Sequence, residues 1–457
     1  MKRNILYIMC TTALLSSCGI HSSYERPKDI KAEANLYRNT VSVDTANFGN
    51  RPWREVFTDN KLQQLIERAL DRNADLQTAE LKIKEAEATY LPAKMAFLPN
   101  LALNPSGTIS SFDGGKTTQS YKLPIVANWQ LDVFGSLRNA KQMAKAQILQ
   151  SRAYKQAVQT QIIGGVANMY YTLLMLDEQL RITKETAEIW KQNVEAMRSM
   201  LLHSTMTNVA AVSQSEANYH AICASIPAIE QNIHETENSL SVFLHDAPQR
   251  IERTALDAQL LPSDLSIGIP MQLLSNRPDV QTAEMALRLA FYNTNYARSK
   301  FYPNITLSGS AGWVNSVGQS ILNPGKVLAS AVASLTQPLF ANGQLVGQLR
   351  IAKAQQEEAK IGFEQSLLNA GKEVSDALFA YQVAEEKTVS RKQQVVSLEK
   401  ANEATKELFK LGTTSYLETL TAQQSLLSAR LSLVNDEFSK MQSVVNLYSA
   451  LGGGRDQ

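Results

Sequence analysis

Residues 73–104 read NADLQTAELKIKEAEATYLPAKMAFLPNLALN, and residues 277–308 read RPDVQTAEMALRLAFYNTNYARSKFYPNITLS. A shift of 204 positions lays Asp75 on Asp279, Gln77-Thr78-Ala79-Glu80 on Gln281-Thr282-Ala283-Glu284, and Pro99-Asn100 on Pro303-Asn304. Farther along, Phe134 falls on Phe340 at a shift of 206, and Ala144-Lys145-Ala146-Gln147 on Ala352-Lys353-Ala354-Gln355 at 208. So slow a drift marks a duplicated unit of roughly 200 residues with small loop insertions.

Beyond the repeated stretch each copy changes its periodicity. In QSYKLPIVANWQLDVF (119–134) the odd positions Tyr121, Leu123, Ile125, Ala127, Trp129, Leu131 and Val133 are apolar. The even positions include Ser120, Lys122, Asn128, Gln130 and Asp132, so the period is that of a strand. A preceding strand, about Leu101 to Ser111, keeps Leu101, Leu103 and Ile109 in phase, and FDGGKT (112–117) forms the turn. The second copy repeats the pattern with Ile305, Leu307, Ala311 and Trp313, then Val327, Ala329, Ala331, Ala333 and Leu335. The apolar face is uniform, carries aromatics towards its ends, and sits at the tip of long helices with nothing to cover it. Tyr121, Leu123, Ile125, Trp129 and Trp313 are therefore expected to face lipid.

The long helices show as missing prolines: none occurs between Ile125 and Ile226, and none from Leu339 onward. Narrow apolar stripes follow, such as Ile162, Val166, Tyr170, Leu173 and Phe363, Leu367, Ala370, Val374, which are coiled-coil-like seams. Helices from about Ser136 to Leu202 and Gln344 to Lys410 would each be about 100 Å long at 1.5 Å per residue. Gly164-Gly165 and Gly371 inside them predict close helix contacts. Each helix then turns back, at Leu411-Gly412-Thr413-Thr414-Ser415 in the second copy and at Ser204-Thr205-Met206-Thr207 in the first. Returning helices are expected over Val209–His245, interrupted by Pro227, and over Tyr416–Leu451.

Upstream, one helix is expected from Trp53 to about Phe97. Asp59 or Asn60 is placed to cap it, Leu62, Leu65, Ile66 and Ala69 lie on its buried face, and Pro92 should kink it. At the start, Lys2-Arg3 precede an apolar run from Ile5 to Leu15, the pattern of a secretory leader. Leu15-Ser16-Ser17-Cys18 has the form of a bacterial lipobox, which would leave Cys18 acylated; several acyl chains make a stable anchor. The expected organisation is a leader (1–17), a lipidated arm (18–52), one copy (53–245), a linker (246–268), a second copy (269–451) and a C-terminal tail (452–457).

Charged residues make up 19% of the chain and the net charge is +2, which excludes a nucleic-acid surface. Cys223 is the one cysteine beyond Cys18 and reads as a small buried residue. The five histidines are scattered, the twelve methionines dispersed, and no metal, phosphate or nucleophile motif is present. No enzyme chemistry and no cofactor is expected, apart from the lipid on Cys18. In Arg277-Pro278-Asp279, the proline opens a helix and the aspartate favours its N-terminal end.

Four strands cannot close a membrane barrel, and an open edge in lipid leaves backbone groups unpaired. The chain must therefore associate with copies of itself; two copies supply eight strands and three supply twelve.

The chain resembles outer membrane factors of the TolC type, and more closely the lipoprotein branch with NodT-like and OprM-like efflux channels. Cys18 with Tyr24-Glu25-Arg26-Pro27 carries this, as do Trp53 through Asp75, Asn276-Arg277-Pro278-Asp279-Val280-Gln281-Thr282-Ala283-Glu284, and Tyr302-Pro303-Asn304-Ile305-Thr306-Leu307. The resemblance implies an α+β membrane protein acting as a homotrimer, with a twelve-stranded outer membrane barrel and a twelve-helix periplasmic barrel. It implies a passive exit duct for small molecules, served by an inner-membrane resistance-nodulation-division transporter and a periplasmic adaptor. An outlet for an ATP-driven type I secretion system is the alternative. The hairpin tips, Gly412, Thr413, Thr414 and Ser415 with Thr205 and Met206, would meet the adaptor. In such channels the tip also carries the constriction: Leu417 matches an apolar ring and Glu418 an acidic one. Thr421 falls where the family has a further acidic residue, a departure that leaves Glu418 as the ring's charge.

Overall fold

The computed structural model describes residues 22–27, 48–111, 113–115, 117–203, 207–262, 277–315 and 326–455. The leader, Cys18, Thr205, Met206, Asn276 and part of the expected linker lie outside them.

The segment expected as one helix from Trp53 to Phe97 is three: α1 (Trp53–Val56), α2 (Asn60–Arg72) and α3 (Ala74–Met95). Two side chains cause the breaks. The Asp59 carboxylate accepts from the backbone N–H of Lys61 at 2.8 Å and caps α2. Asn73 Oδ1 accepts from the N–H groups of Asp75 and Leu76 at 2.9 and 3.3 Å, starting α3, while its amide donates to the Phe243 carbonyl at 2.8 Å. Leu62, Leu65, Ile66 and Ala69 are all buried, and α3 runs on through Pro92.

Then follow β1 (Asn100–Leu103), β2 (Ser106–Ser110), β3 (Thr118–Leu131), α4 (Ser136–His203), α5 (Val209–Phe243), α6 (Pro278–Ser299), β4 (Asn304–Val314), β5 (Lys326–Thr336), α7 (Gln344–Lys410) and α8 (Tyr416–Ala450). The strand expected over 101–111 is split at Asn104-Pro105, since proline has no N–H for the ladder. Pro227, expected to interrupt the return, lies inside an unbroken α5.

The chain forms two compact units that cut across the duplication. The first comprises residues 80–153 and 281–366 together with the short N-terminal segment at Tyr24–Arg26. It holds one antiparallel sheet in which β1 and β2 both pair with β3, β3 with β4, and β4 with β5. Segments from both copies share this sheet, joined by the β3–β4 ladder from Lys122↔Val314 to Leu131↔Ile305. The N-terminal segment is held on α6: Arg26 donates to Glu284 through Nε at 2.9 Å and Nη2 at 2.5 Å. Tyr24 packs edge-on against Phe291, its centroid 5.8 Å away. Burial, then the neighbouring Glu284 charge, pushes the Tyr24 phenol up to about 12.

The second unit contains the helical remainder. Its core gathers Phe48, Phe57, Leu62, Ile66, Tyr170, Leu173, Leu240 and Tyr448, each fully buried. Burial of each such side chain contributes about 1.5–3 kcal/mol relative to leaving it in water. The expected close contacts at Gly164-Gly165 are present: a β-carbon there would lie 2.8 Å from Ser449 Oγ and 2.9 Å from the Phe243 ring. Residues 452–455, in the expected C-terminal tail, are packed. Thr160 Oγ1 donates to the Gly453 carbonyl at 2.7 Å, the Gly454 N–H to the Tyr448 hydroxyl at 2.8 Å, and a β-carbon on Gly453 would sit 2.5 Å from the Tyr448 ring.

Candidate functional site

Two surfaces have no counterpart in an ordinary globular domain, and each is built from the sequence pattern directly. The first is the sheet face. The register aligns odd residue with odd residue across every ladder: Leu103↔Ile125, Leu123↔Trp313, Ile125↔Ala311, Trp129↔Leu307, Leu307↔Ala333 and Trp313↔Val327. The apolar residues at odd positions therefore share one side, while Val126, Val314, Leu328 and Val332, at even positions, lie on the other. Leu101, Leu103, Ile109, Ile125, Trp313, Val327 and Leu335 are exposed on the first side, with nothing among the described residues covering them. The opposite side is closed by hydroxyl and amide bonds: Ser308 Oγ donates to Asn128 Oδ1 at 2.8 Å, the Ser310 and Ser330 hydroxyls meet at 2.8 Å, and those of Thr306 and Ser334 at 2.6 Å. Trp129 Nε1–H, which cannot be left unpaired against an apolar phase, donates to the Phe97 carbonyl at 2.8 Å. Among the described residues, both outer strands, β1 with β2 and β5, keep one unpaired edge.

The second surface is the tip of the α7–α8 hairpin. Gly412 takes φ +72°, the Thr413 N–H donates to Leu408 O at 3.0 Å and the Gly412 N–H to Phe409 O at 2.9 Å, closing α7 as its glycine predicted. Ser415 stands at the N-cap of α8 without a side-chain bond. Thr414 Oγ1 donates instead to the Glu418 carboxylate in the first turn, and Thr421 Oγ1 to the Leu417 carbonyl at 2.8 Å. Leu411 and Leu417 project into solvent. At the other hairpin, Asn208 caps α5 by accepting from the Ala211 N–H at 2.9 Å, a cap the sequence reading passed over.

Behind this tip the hairpins are tied together. Trp190 of α4, Ile222 of α5 and Leu420 of α8 form a buried cluster with Cys223 at its margin. Asn193 of α4 donates to Gln423 of α8 at 3.0 Å. Four ion pairs bridge α7 and α8: Lys440–Glu385, Arg391–Asp436, Lys392–Glu437 and Arg430–Glu399. As partly exposed pairs they set register more than they add stability.

Two polar centres escaped the sequence reading. Arg277, only 6% exposed, donates to Asp279 at 2.7 Å, to Glu373 at 2.6 Å and to the Ala450 carbonyl at 2.7 Å. It borders a cavity of about 620 Å³ that Asn168, Asp376 and Asn446 also line. Asp59, beyond its capping role, accepts from Tyr170 at 2.7 Å, Gln259 at 2.8 Å and the Thr254 hydroxyl. Among the described residues no group of three or more His, Cys, Asp or Glu is arranged to hold a metal ion, and no helix is long and apolar enough to cross a membrane.

The sequence profile of outer membrane efflux proteins matches residues 65–244 and 269–453, the two copies in turn. The chain belongs to the outer membrane efflux protein family. It is 29% identical over 452 residues to the cation efflux system protein CusC of Escherichia coli O6:H1, covering 98% of each chain. It is 28% identical over 474 residues to the toluene efflux pump outer membrane protein TtgC of Pseudomonas putida, covering 99% of this chain and 96% of that one. The solved open state of the MtrE outer membrane channel of Neisseria gonorrhoeae superposes with a TM-score of 0.86 at 26% identity, over 95% of this chain and 98% of that one. The protein is thus an outer membrane efflux channel with the tandem-repeat α+β fold of that family. The bare apolar face of its sheet is the surface such a location requires.

Proposed function

We propose that the protein is the exit duct of a tripartite pump, a homotrimer whose sheets join edge to edge into one twelve-stranded barrel. The observation that carries this is the pairing of a continuous exposed apolar face with two open sheet edges. In lipid each unpaired backbone group costs several kcal/mol, and closure with further copies removes that cost. Acylated Cys18 would hold the chain to the same membrane. The hairpin tips Gly412–Ser415, with Thr205 and Met206 on the other hairpin, would receive a periplasmic adaptor. Through it the duct would receive cargo from an inner-membrane resistance-nodulation-division transporter. Leu417 and Glu418 would form the closing rings, with Thr421 neutral where a second acidic ring would stand.

The duct is passive, so the cargo is set by the pump. Similarity to proteins named for cation and for toluene efflux supports small solutes or ions over secreted polypeptides. Crosslinked capture of the tagged protein from native envelopes, with the inner-membrane partner identified by mass spectrometry, tests this. A proton-driven pump with its adaptor is expected. Recovery of an ATP-binding exporter in its place would make the protein a secretion outlet.

A further inference from the structure

The duplication supplies a template for the contact between copies at the base of the sheet. In this chain Phe134, three residues after β3, stacks on Tyr302, two residues before β4, with centroids 5.1 Å apart and planes 17° from parallel. This contact joins the first copy of the repeat to the second at the helix-side end of the β3–β4 ladder. Each partner has a counterpart in the other copy. Phe340 answers Phe134 at a shift of 206, four residues after β5. Leu98 answers Tyr302 at a shift of 204, two residues before β1, in Phe97-Leu98-Pro99-Asn100 against Phe301-Tyr302-Pro303-Asn304.

Those counterparts do not meet each other within the chain. Phe340 is 85% exposed, the adjacent Leu339 94%, and Leu98 60%. They flank the two open edges: Leu98 leads into the outer strand β1, and Phe340 follows the outer strand β5. Both lie at the same, helix-side end of the sheet. Among the described residues no other large apolar side chain is as bare as the neighbours Leu339 and Phe340. Sequence equivalence and sheet topology thus give the exposed phenylalanine one matching site, on a second copy.

We infer that Phe340 of one copy packs on Leu98 of the next, reproducing between copies the Phe134–Tyr302 contact made within one. The inference rests on the barrel reading above and adds the pair of side chains that closes each seam. It also makes the seam asymmetric in composition, an aromatic on an aliphatic side chain where the internal joint has two stacked rings. The rival occupant of the Leu339-Phe340 surface is lipid at the membrane boundary.

The test uses the full-length lipoprotein in outer membranes, with Cys223→Ser as background so that Cys18 remains free for acylation. Phe340→Cys is combined with Leu98→Cys, and mild oxidation is followed by non-reducing gels of denatured protein. Reductant-sensitive dimers and trimers are expected, and each single variant should give none. The pair Phe134→Cys with Tyr302→Cys should crosslink within one chain and add no mass. If a lysine crosslinker yields trimers while the Phe340/Leu98 pair yields no disulfide, the seam contact is wrong and the duct reading stands. If neither yields oligomers, the duct reading fails with it. Finally, Phe340→Trp is reconstituted with brominated lipid; strong quenching in intact trimers would assign the surface to lipid and overturn the inference. Absence of quenching is expected.

Discussion

Arg277, the residue before α6, donates from Nη1 to the carbonyl of Ala450, the last residue of α8, at 2.7 Å. The start of the second copy is thereby fixed to its end, and the same guanidinium reaches Glu373 of α7. A buried cation holds position only where its hydrogen bonds are satisfied; here two carboxylates and a helix-terminal carbonyl satisfy them. Burial alone would weaken the charged form, yet the bonds to Asp279 and Glu373 keep the guanidinium pKa above its ordinary value.

Arg277→Ala should therefore destabilise the fold by about 1–3 kcal/mol, the range for losing hydrogen bonds to charged groups; the half-exposed carboxylates keep it below the cost of breaking a fully buried pair. Arg277→Lys should recover only part of this, because an ammonium cannot reproduce the planar fork. Urea unfolding of the detergent-solubilised protein, followed by circular dichroism at 222 nm, measures both. Equal stability of Arg277→Ala and the parent would show that the network adds nothing.

Asp59 predicts an acid response. Burial pushes its carboxyl up, but the hydrogen bonds from Thr254, Tyr170, Gln259 and the Lys61 N–H outweigh this and hold its pKa below the usual value. A depressed folded pKa gives stability that is fully present above the unfolded value, about 3.9, and is lost as pH falls through the folded one. Asp59→Asn should thus be less stable than the parent at pH 7, and the gap should narrow as the pH falls from the unfolded value through the depressed folded one. Thermal melts from pH 7 to pH 2.5 check the sign. A gap that widens in acid would contradict the assignment.

These two centres also show where the sequence stops being legible. Strand alternation, Gly412 as a terminator and Asp59 as a cap follow from local rules, and the structure has each of them. The hub role of Asp59 depends on Thr254 and Gln259, nearly 200 positions away, and no spacing rule connects them. Asn73 likewise ends a helix because Phe243 offers its carbonyl from another element. Arg277 read as the residue before a helix start, since its partners Glu373 and Ala450 lie 96 and 173 positions further along the chain. At the tip, the local capping chemistry of Gly412 was legible, whereas the closing role proposed for Leu417 and Glu418 would depend on copies of the chain meeting there.

His245 ends α5 in the conformation that Gly412 and Gly452 adopt at the ends of α7 and α8. Its φ is +60°, its N–H donates to Val242 O at 2.9 Å, and the Asp246 N–H donates to Ser241 O at 2.9 Å. A β-carbon in the left-handed region costs roughly 1–2 kcal/mol, part of which glycine gives back through its freer unfolded chain. His245→Gly should stabilise the protein by about 0.5–1 kcal/mol, read as a higher urea midpoint at unchanged slope. A lower midpoint would mean that the imidazole makes a contact worth more than the strain.

In the proposed closing ring, Glu418 would bear on conduction itself. It sits in the first turn of α8, where the helix dipole favours a negative charge, and Thr414 Oγ1 bonds its carboxylate across the turn. In a trimer three such carboxylates would face a common axis beside the exposed Leu417 side chains. A ring of like charges attracts cations and resists anions, and salt screens it. Glu418→Ala should raise ion conductance across planar bilayers and admit larger antibiotics in whole cells, whereas Glu418→Gln separates the loss of charge from the loss of bulk. If charge governs closure, Gln and Ala should behave alike, cation preference should fall in both, and the difference from the parent should shrink as salt is raised. If Gln matches the parent, the carboxylate acts through its size and its bond to Thr414. Unchanged conductance and selectivity in both variants would remove Glu418 from the gate and leave Leu417 as the residue to test there.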